Sequence, residues 1–168
     1  MPNRNWKIAT IALGIIIIGV VSYALYNFAF NKNTLNVKAA IIYKVGGAQP
    51  IARATFYLSK KDLETAAKNA GIKTSTSAAS LWAFEESVNS QLGKKEISRF
   101  IQAFKPDIVS TATTDFNGDA KFESVPSGSY YLIGIAPTRS GMAVWNLPIK
   151  ITQTQTIMLD QSNAIVAE

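Results

Sequence analysis

The sequence predicts a mainly β protein: a β-sandwich of about seven strands with a helical insertion, preceded by one transmembrane helix. Three observations predict it. No charged residue falls between Lys7 and Lys32. From Leu35 onward apolar residues alternate with period two, as a half-buried strand requires. Between positions 59 and 106 that alternation gives way to apolar stripes at helical spacing. The 168 residues thus divide into a cytoplasmic tip with a membrane helix (1–31) and an extracytoplasmic domain (32–168) that carries the insertion 59–106.

The first element is the run Ile8–Phe30. As a helix its 23 residues reach about 35 Å at ~1.5 Å per residue, enough for a hydrocarbon core of ~30 Å. Trp6 stands at one end, and Tyr23, Tyr26, Phe28 and Phe30 crowd the other, as aromatics do at a membrane–water boundary. Arg4, Lys7 and the terminal amine precede the run, which places the N-terminus in the cytoplasm and the domain outside. The same stretch also reads as a cleaved signal peptide, with small residues at Ser22 and Ala24. Its continuation to Phe30 favours the uncleaved anchor. Both readings export the domain, and the first makes the lipid bilayer a partner.

The strands follow in order. Val37, Ala39, Ile41 and Tyr43 share one face of a first strand, closed by a turn at Gly46-Gly47. Ile51–Leu58 reads as a second strand with Ala52, Ala54, Phe56 and Leu58 on one face. Ile108–Thr114 is followed by the turn Asp115-Phe116-Asn117-Gly118, because Asn-Gly readily takes the positive φ of a tight hairpin. Ala120–Val125, the turn Pro126-Ser127-Gly128, and strands over Ser129–Ala136, Ala143–Thr152 and Gln155–Leu159 complete a sandwich pattern.

In the insertion, Ser59 and Asp62 have capping-box spacing ahead of a short helix that Gly71 ends. Leu81, Phe84, Val88 and Leu92 form a second apolar stripe, ended by Gly93. Ile97, Phe100, Ile101 and Phe104 form a third, stopped at Pro106. These helices are expected to cover a face or edge of the sheet.

Composition removes much chemistry. The chain has no cysteine and no histidine, which excludes disulfides, thiolate nucleophiles, a lipoprotein anchor, Ser-His-Asp triads and His-ligated metal. No cofactor or catalytic residue is expected. The net charge of +6 is spread along the chain. It suits solubility and weak attraction to anionic headgroups, and nothing about it suggests a nucleic-acid partner.

Thr114–Phe122 (TTDFNGDAKF from Thr113) and Val125–Leu132 (VPSGSYYL), with Gln49–Leu58 before them, resemble the carboxypeptidase regulatory-like family. The resemblance covers Leu35–Leu58 and Ile108–Leu159 and implies a transthyretin-like (prealbumin-like), Ig-like sandwich. It implies a Pro-x-Gly turn and inward aromatics at Phe122 and Tyr130, but no particular ligand. Related collagen-adhesin repeats carry Lys–Asn isopeptide bonds, for which Lys38 or Lys44 and Asn163 are the nearest counterparts. The assisting acid of that pattern is replaced here by Ile133.

Single residues have competing readings. Asp115, Asn117 and Asp119 alternate like a calcium loop, but Ala120 and Pro126 occupy positions that need Gly and Glu, so a turn is expected. Glu85 and Glu86 are helix neighbours that diverge by ~100° and form no catalytic pair. Trp145, inside a strand, is expected in the core. Trp82 lies off the Leu81/Phe84/Val88 stripe, beside Glu86 and Asn89, and is expected to face a protein partner.

Two functions compete. One is a non-catalytic, membrane-tethered interaction or accessory module of the cell envelope, docking on a protein in or on the membrane. The other is a carbohydrate-binding module for envelope or matrix glycans, which an exposed planar row of aromatics would favour.

Overall fold

The computed structural model describes residues 32–91 and 99–167, together with residues 17 and 19–22. The chain forms two compact units, Met1–Lys32 and Asn33–Glu168. In the first, residues 17 and 19–22 are helical. Among the described residues no helix is long and apolar enough to cross a membrane. Trp6, Tyr23, Tyr26, Phe28 and Phe30, read as interface aromatics, lie outside the described residues, as does most of the run 8–30.

The second unit has three layers. Its first strand, β1 (Lys32–Tyr43), buries Asn33, Leu35, Val37, Ala39 and Ile41 in strict alternation. It pairs antiparallel with β2 (Gly47–Pro50) and parallel with β8 (Gln155–Leu159). With β5 (Asp119–Pro126) these make a four-stranded sheet. The other sheet has five strands in the order β4 (Ile108–Thr113), β3 (Thr55–Ser59), β6 (Gly128–Pro137), β7 (Met142–Ile151) and β9 (Val166–Ala167). Each neighbouring pair in it is antiparallel.

The core between the sheets is built on Leu35, Val37, Phe56, Leu58, Phe122, Tyr130, Leu132, Trp145 and Ile151. Trp145 is fully buried there, as expected. Its ring centroid lies 5.8 Å from that of Phe56, and its Nε1 donates to Asp160 O and Asn163 Oδ1. Strand β6 is buried on both faces: Tyr130, Leu132 and Ala136 belong to this core, while Ile133 and Ile135 belong to a second one. That is why Ser129–Ala136 reads as a nearly continuous apolar run. Gly134 sits where a Cβ would come within 2.2 Å of Phe56 Cδ1, so the ring of Phe56, its cross-strand partner in the same sheet, occupies the place of the missing side chain.

The insertion supplies the third layer, as expected. Helices α1 (Leu63–Asn69), α2 (Ala78–Gln91) and α3 (Arg99–Phe104) cover the outer face of the five-stranded sheet. A 3-10 turn, Lys105–Asp107, leads into β4. Leu63, Ala66, Ala67, Ala78, Ala79, Trp82, Phe100 and Phe104 pack on Tyr57, Ile133 and Val144. Helix α1 ends in a Schellman motif: Ile72 N donates to Ala67 O, Gly71 N donates to Lys68 O, and Gly71 has φ +72°. The cap at its start is one turn later than expected. Asp62 itself accepts from Thr65 N at 2.9 Å, while the Ser59 hydroxyl stays local to Lys61.

Two further expectations are corrected. Ile51–Leu58 is not one strand. β2 ends at Pro50, Ala52 is exposed, and the chain crosses from one sheet to the other before β3 begins. Asn117-Gly118 is a turn, but not a hairpin between paired strands. β4 and β5 lie in opposite sheets, so this turn is an arch over the sandwich end. Gly118 is required there. Its φ is +78°, its O accepts from Ala39 N at 2.8 Å, and a Cβ would lie 2.2 Å from Ala39 O.

Candidate functional site

Trp82 does not face solvent, which corrects the expectation for it. It is 0% exposed, stacked on Phe100 at 6.0 Å between centroids and edge-on to Phe104 at 5.7 Å. Its indole N–H donates to Glu86 Oε1 at 3.0 Å, one helical turn on. Small residues explain the rotation of α2. Ala78, Ala79 and Ala83 let the helix lie close against its neighbours, and the large indole fills the space that remains. Phe84, expected in the core, is instead 66% exposed. Asn89 is half-buried and Leu92 lies outside the described residues. The trio Trp82, Glu86 and Asn89 is therefore not an exposed interface anchor, because its aromatic member is interior.

Other sequence candidates resolve locally. Glu85 pairs with Arg99 through Oε1 and Nη2, and Arg99 Nε donates to Glu85 Oε2 at 3.0 Å. Burial, and after it the Glu86 charge, holds the Tyr57 hydroxyl above its ordinary pKa. Asp115 Oδ1 accepts the backbone N–H groups of Asn117 and Asp119, and Asp119 faces Lys38 Nζ at 3.6 Å. This geometry is that of a turn. Among the described residues no group of three or more acidic side chains converges as metal ligands do. Lys38 is exposed and Asn163 is occupied with Trp145, Asp160 and Met158, so no Lys–Asn pair is assembled.

The feature that sequence reading missed lies at one end of the sandwich, where the loops 44–46, 51–54, 114–118 and 138–141 gather. Loop 51–54 and the 114–118 arch are tied together: Arg53 N donates to Thr114 O, Ala54 N to Thr114 Oγ1, and Thr114 N to Ala54 O, at 3.0, 2.9 and 2.9 Å. This buried Thr114 lock holds Arg53 at φ +60°, a conformation that side chains other than Gly rarely adopt. The Arg53 guanidinium then lies 5.1 Å from the centroid of Phe116, which is 75% exposed at the arch tip.

Loop 138–141 makes a second such pair. Arg139 N donates to Tyr43 Oη at 3.1 Å, and the Arg139 guanidinium lies 4.1 Å from the Tyr43 ring centroid. A cleft of ≈180 Å³ is lined by Tyr43, Gln49, Pro50, Ile51, Ala52 and Pro137. Tyr43, the ring under Arg139, is part of its lining, and Arg53 follows the lining residue Ala52 in the chain. Among the described residues neither guanidinium has a carboxylate at ion-pair distance, while Lys38, Lys61, Arg99 and Lys121 all do. A guanidinium on an aromatic face is oriented without losing its N–H donors, so both are ready for an anionic or carbonyl-rich surface.

No family model and no curated protein matches this chain. Solved structures do resemble it. A proposed carbohydrate-binding protein of Pseudomonas aeruginosa is 15% identical, with a TM-score of 0.41, over 81% of this chain and 95% of that one. A minor pilin of Streptococcus agalactiae is 14% identical, with a TM-score of 0.38, over 77% of this chain and 44% of that one. The basal pilin of Lactobacillus rhamnosus GG is 15% identical, with a TM-score of 0.36, over 76% and 94%. The likeness is one of sandwich outline and assigns no role to any residue here.

Proposed function

We propose that the protein is a non-catalytic, membrane-tethered interaction module of the cell envelope, anchored by residues 8–30, that presents the Arg53/Phe116 and Arg139/Tyr43 loop end to a protein partner. The observation that carries this reading is the pair of exposed, aromatic-stacked guanidiniums without acidic partners near a proline-lined cleft. One of them sits on a strained backbone, and strain at an exposed residue points to a use other than stability. The absence of histidine and cysteine supports a binding role over a catalytic one. The Gly118 arch and the Tyr130 turn support kinship with carboxypeptidase regulatory-like domains. A glycan platform is less well supported. Among the described residues the strongly exposed aromatics are Phe84 and Phe116, on a helix and an arch, and they form no row.

The reading is tested by quantitative co-purification from gently solubilised membranes. Wild-type protein should retain a membrane or envelope protein that Arg53→Glu/Arg139→Glu loses, at unchanged melting temperature. The same preparation should resist carbonate extraction. Release by carbonate, with an N-terminus at Leu25, would remove the tether from the account.

A further inference from the structure

The opposite end of the sandwich, where β1 begins, carries a second surface. Asn33 Nδ2 donates to Ser127 Oγ at 3.0 Å, so the start of β1 meets the turn 126–128. Ser129 pairs with Lys150 across β6 and β7, and Thr34 N donates to Thr154 Oγ1. Lys60 Nζ lies 3.8 Å from the Tyr130 ring centroid, and Lys60 N donates to Asp107 O. These contacts bring Lys60, Lys61, Lys105 and Lys150 to one end, all exposed. The acidic groups beside them are Asp107, paired to Lys61 at 3.1 Å, and Asp62, occupied as the α1 cap. Lys60, Lys105 and Lys150 have no acidic partner among the described residues.

We infer that this lysine end rests on an anionic lipid surface, holding the domain end-on so that the Arg53/Arg139 end points away. The occupant follows from charge and from connectivity. Three unpaired cations match a sheet of anionic headgroups, and β1, whose start lies at this end, follows in sequence the uncharged run 8–30, the segment read as the anchor. The inference rests on that anchored reading for its biological setting, but not for its test. Lysine stems also suit such a surface, since they reach it while their ammonium groups stay solvated.

Among the described residues the two cores draw only on residues from Leu35 onward, so the fragment 32–168 keeps both, and a single cooperative melting transition is its check of folding. Its partitioning onto vesicles of pure phosphatidylcholine, and of phosphatidylcholine with a third phosphatidylglycerol, is measured by sedimentation at low and high salt. The fragment should bind only the anionic vesicles and lose them at high salt. A lysine near such a surface is worth about a fivefold change in partitioning, so Lys60→Glu/Lys105→Glu/Lys150→Glu should weaken binding about a hundredfold or more. Lys105→Glu/Lys150→Glu avoids the Tyr130 contact and should still weaken it by more than tenfold, while Lys73→Glu, in the loop after α1, should leave it unchanged. Equal binding to neutral vesicles, no binding at low salt, or equal loss with Lys73→Glu overturns the inference. So does tighter binding to a soluble polyanion such as polyphosphate. A carbonate-extractable full chain with a lipid-binding fragment would refute the anchor alone. An anchored chain whose fragment ignores anionic vesicles would refute the lysine surface alone.

Discussion

The indole N–H of Trp82 donates to Glu86 Oε1 at 3.0 Å from inside the helical layer. A fully buried ring and a carboxylate one turn away thus form a closed unit, with Phe100 and Phe104 against the ring. Trp82→Ala should cost about 3–5 kcal/mol in urea unfolding, the range for removing a large aromatic from a core. Trp82→Phe should recover most of that loss, and Glu86→Gln, which keeps an acceptor, should cost less than about 1.5 kcal/mol. A loss below about 1 kcal/mol for Trp82→Ala would show that the helices are not docked through this ring.

Gly118 and Ala39 meet too closely for any side chain. Gly118→Ala adds a Cβ 2.2 Å from Ala39 O at a φ of +78°. It should lower stability by at least about 2 kcal/mol, combining backbone strain with displacement of the arch. A melting temperature equal to wild type would mean that the arch is free to move away from β1.

Tyr130 Oη donates to Pro126 O at 2.8 Å, four residues upstream, and pins the turn between the two sheets. Tyr130→Phe keeps the packing and removes the bond. A loss of about 0.5–1.5 kcal/mol is expected from the unfolding midpoint. No change would mean that Pro126 O is equally well satisfied by water.

Asp62 caps α1. Partial burial opposes its ionisation, but hydrogen bonds from the Thr65 side chain and backbone outweigh it and hold the carboxyl below the ordinary pKa. The folded-state pKa is therefore the lower one. The cap contributes fully above the unfolded pKa of about 3.9, and its contribution is lost as pH falls through the folded value. Asp62→Ala should cost about 1 kcal/mol at pH 7, and the difference from wild type should shrink as pH drops below about 3.9. A pH-independent difference would assign the effect to packing.

Much of the fold was legible where one physical rule acts alone. β1 is buried on one side, so Val37, Ala39 and Ile41 alternate visibly. Ile51–Leu58 also alternates, yet the chain changes sheets at Arg53, where no Gly marks the positive φ. Asn117-Gly118 announces a turn but cannot say which sheet each flanking strand joins. In α2 the stripe was read from large apolar residues, whereas alanines set the buried face and turned Phe84 outward. The loop-end site gave one faint signal: an aromatic, Phe116, at a turn tip where polar residues are usual. Its arginine partner is brought in by the Thr114 lock, a contact 60 positions long that periodicity does not encode.

Contact of the Arg53/Arg139 end with a partner is reported most directly from position 116. A photo-crosslinking amino acid is placed at Phe116, or separately at Phe84, in the full chain in its native membrane. Both side chains are exposed, at 75% and 66%, so accessibility alone does not distinguish them. A discrete protein adduct is predicted from position 116 and not from position 84, and it should disappear with Arg53→Glu/Arg139→Glu. An adduct from position 84 alone, or one from position 116 that survives both charge reversals, would contradict the account.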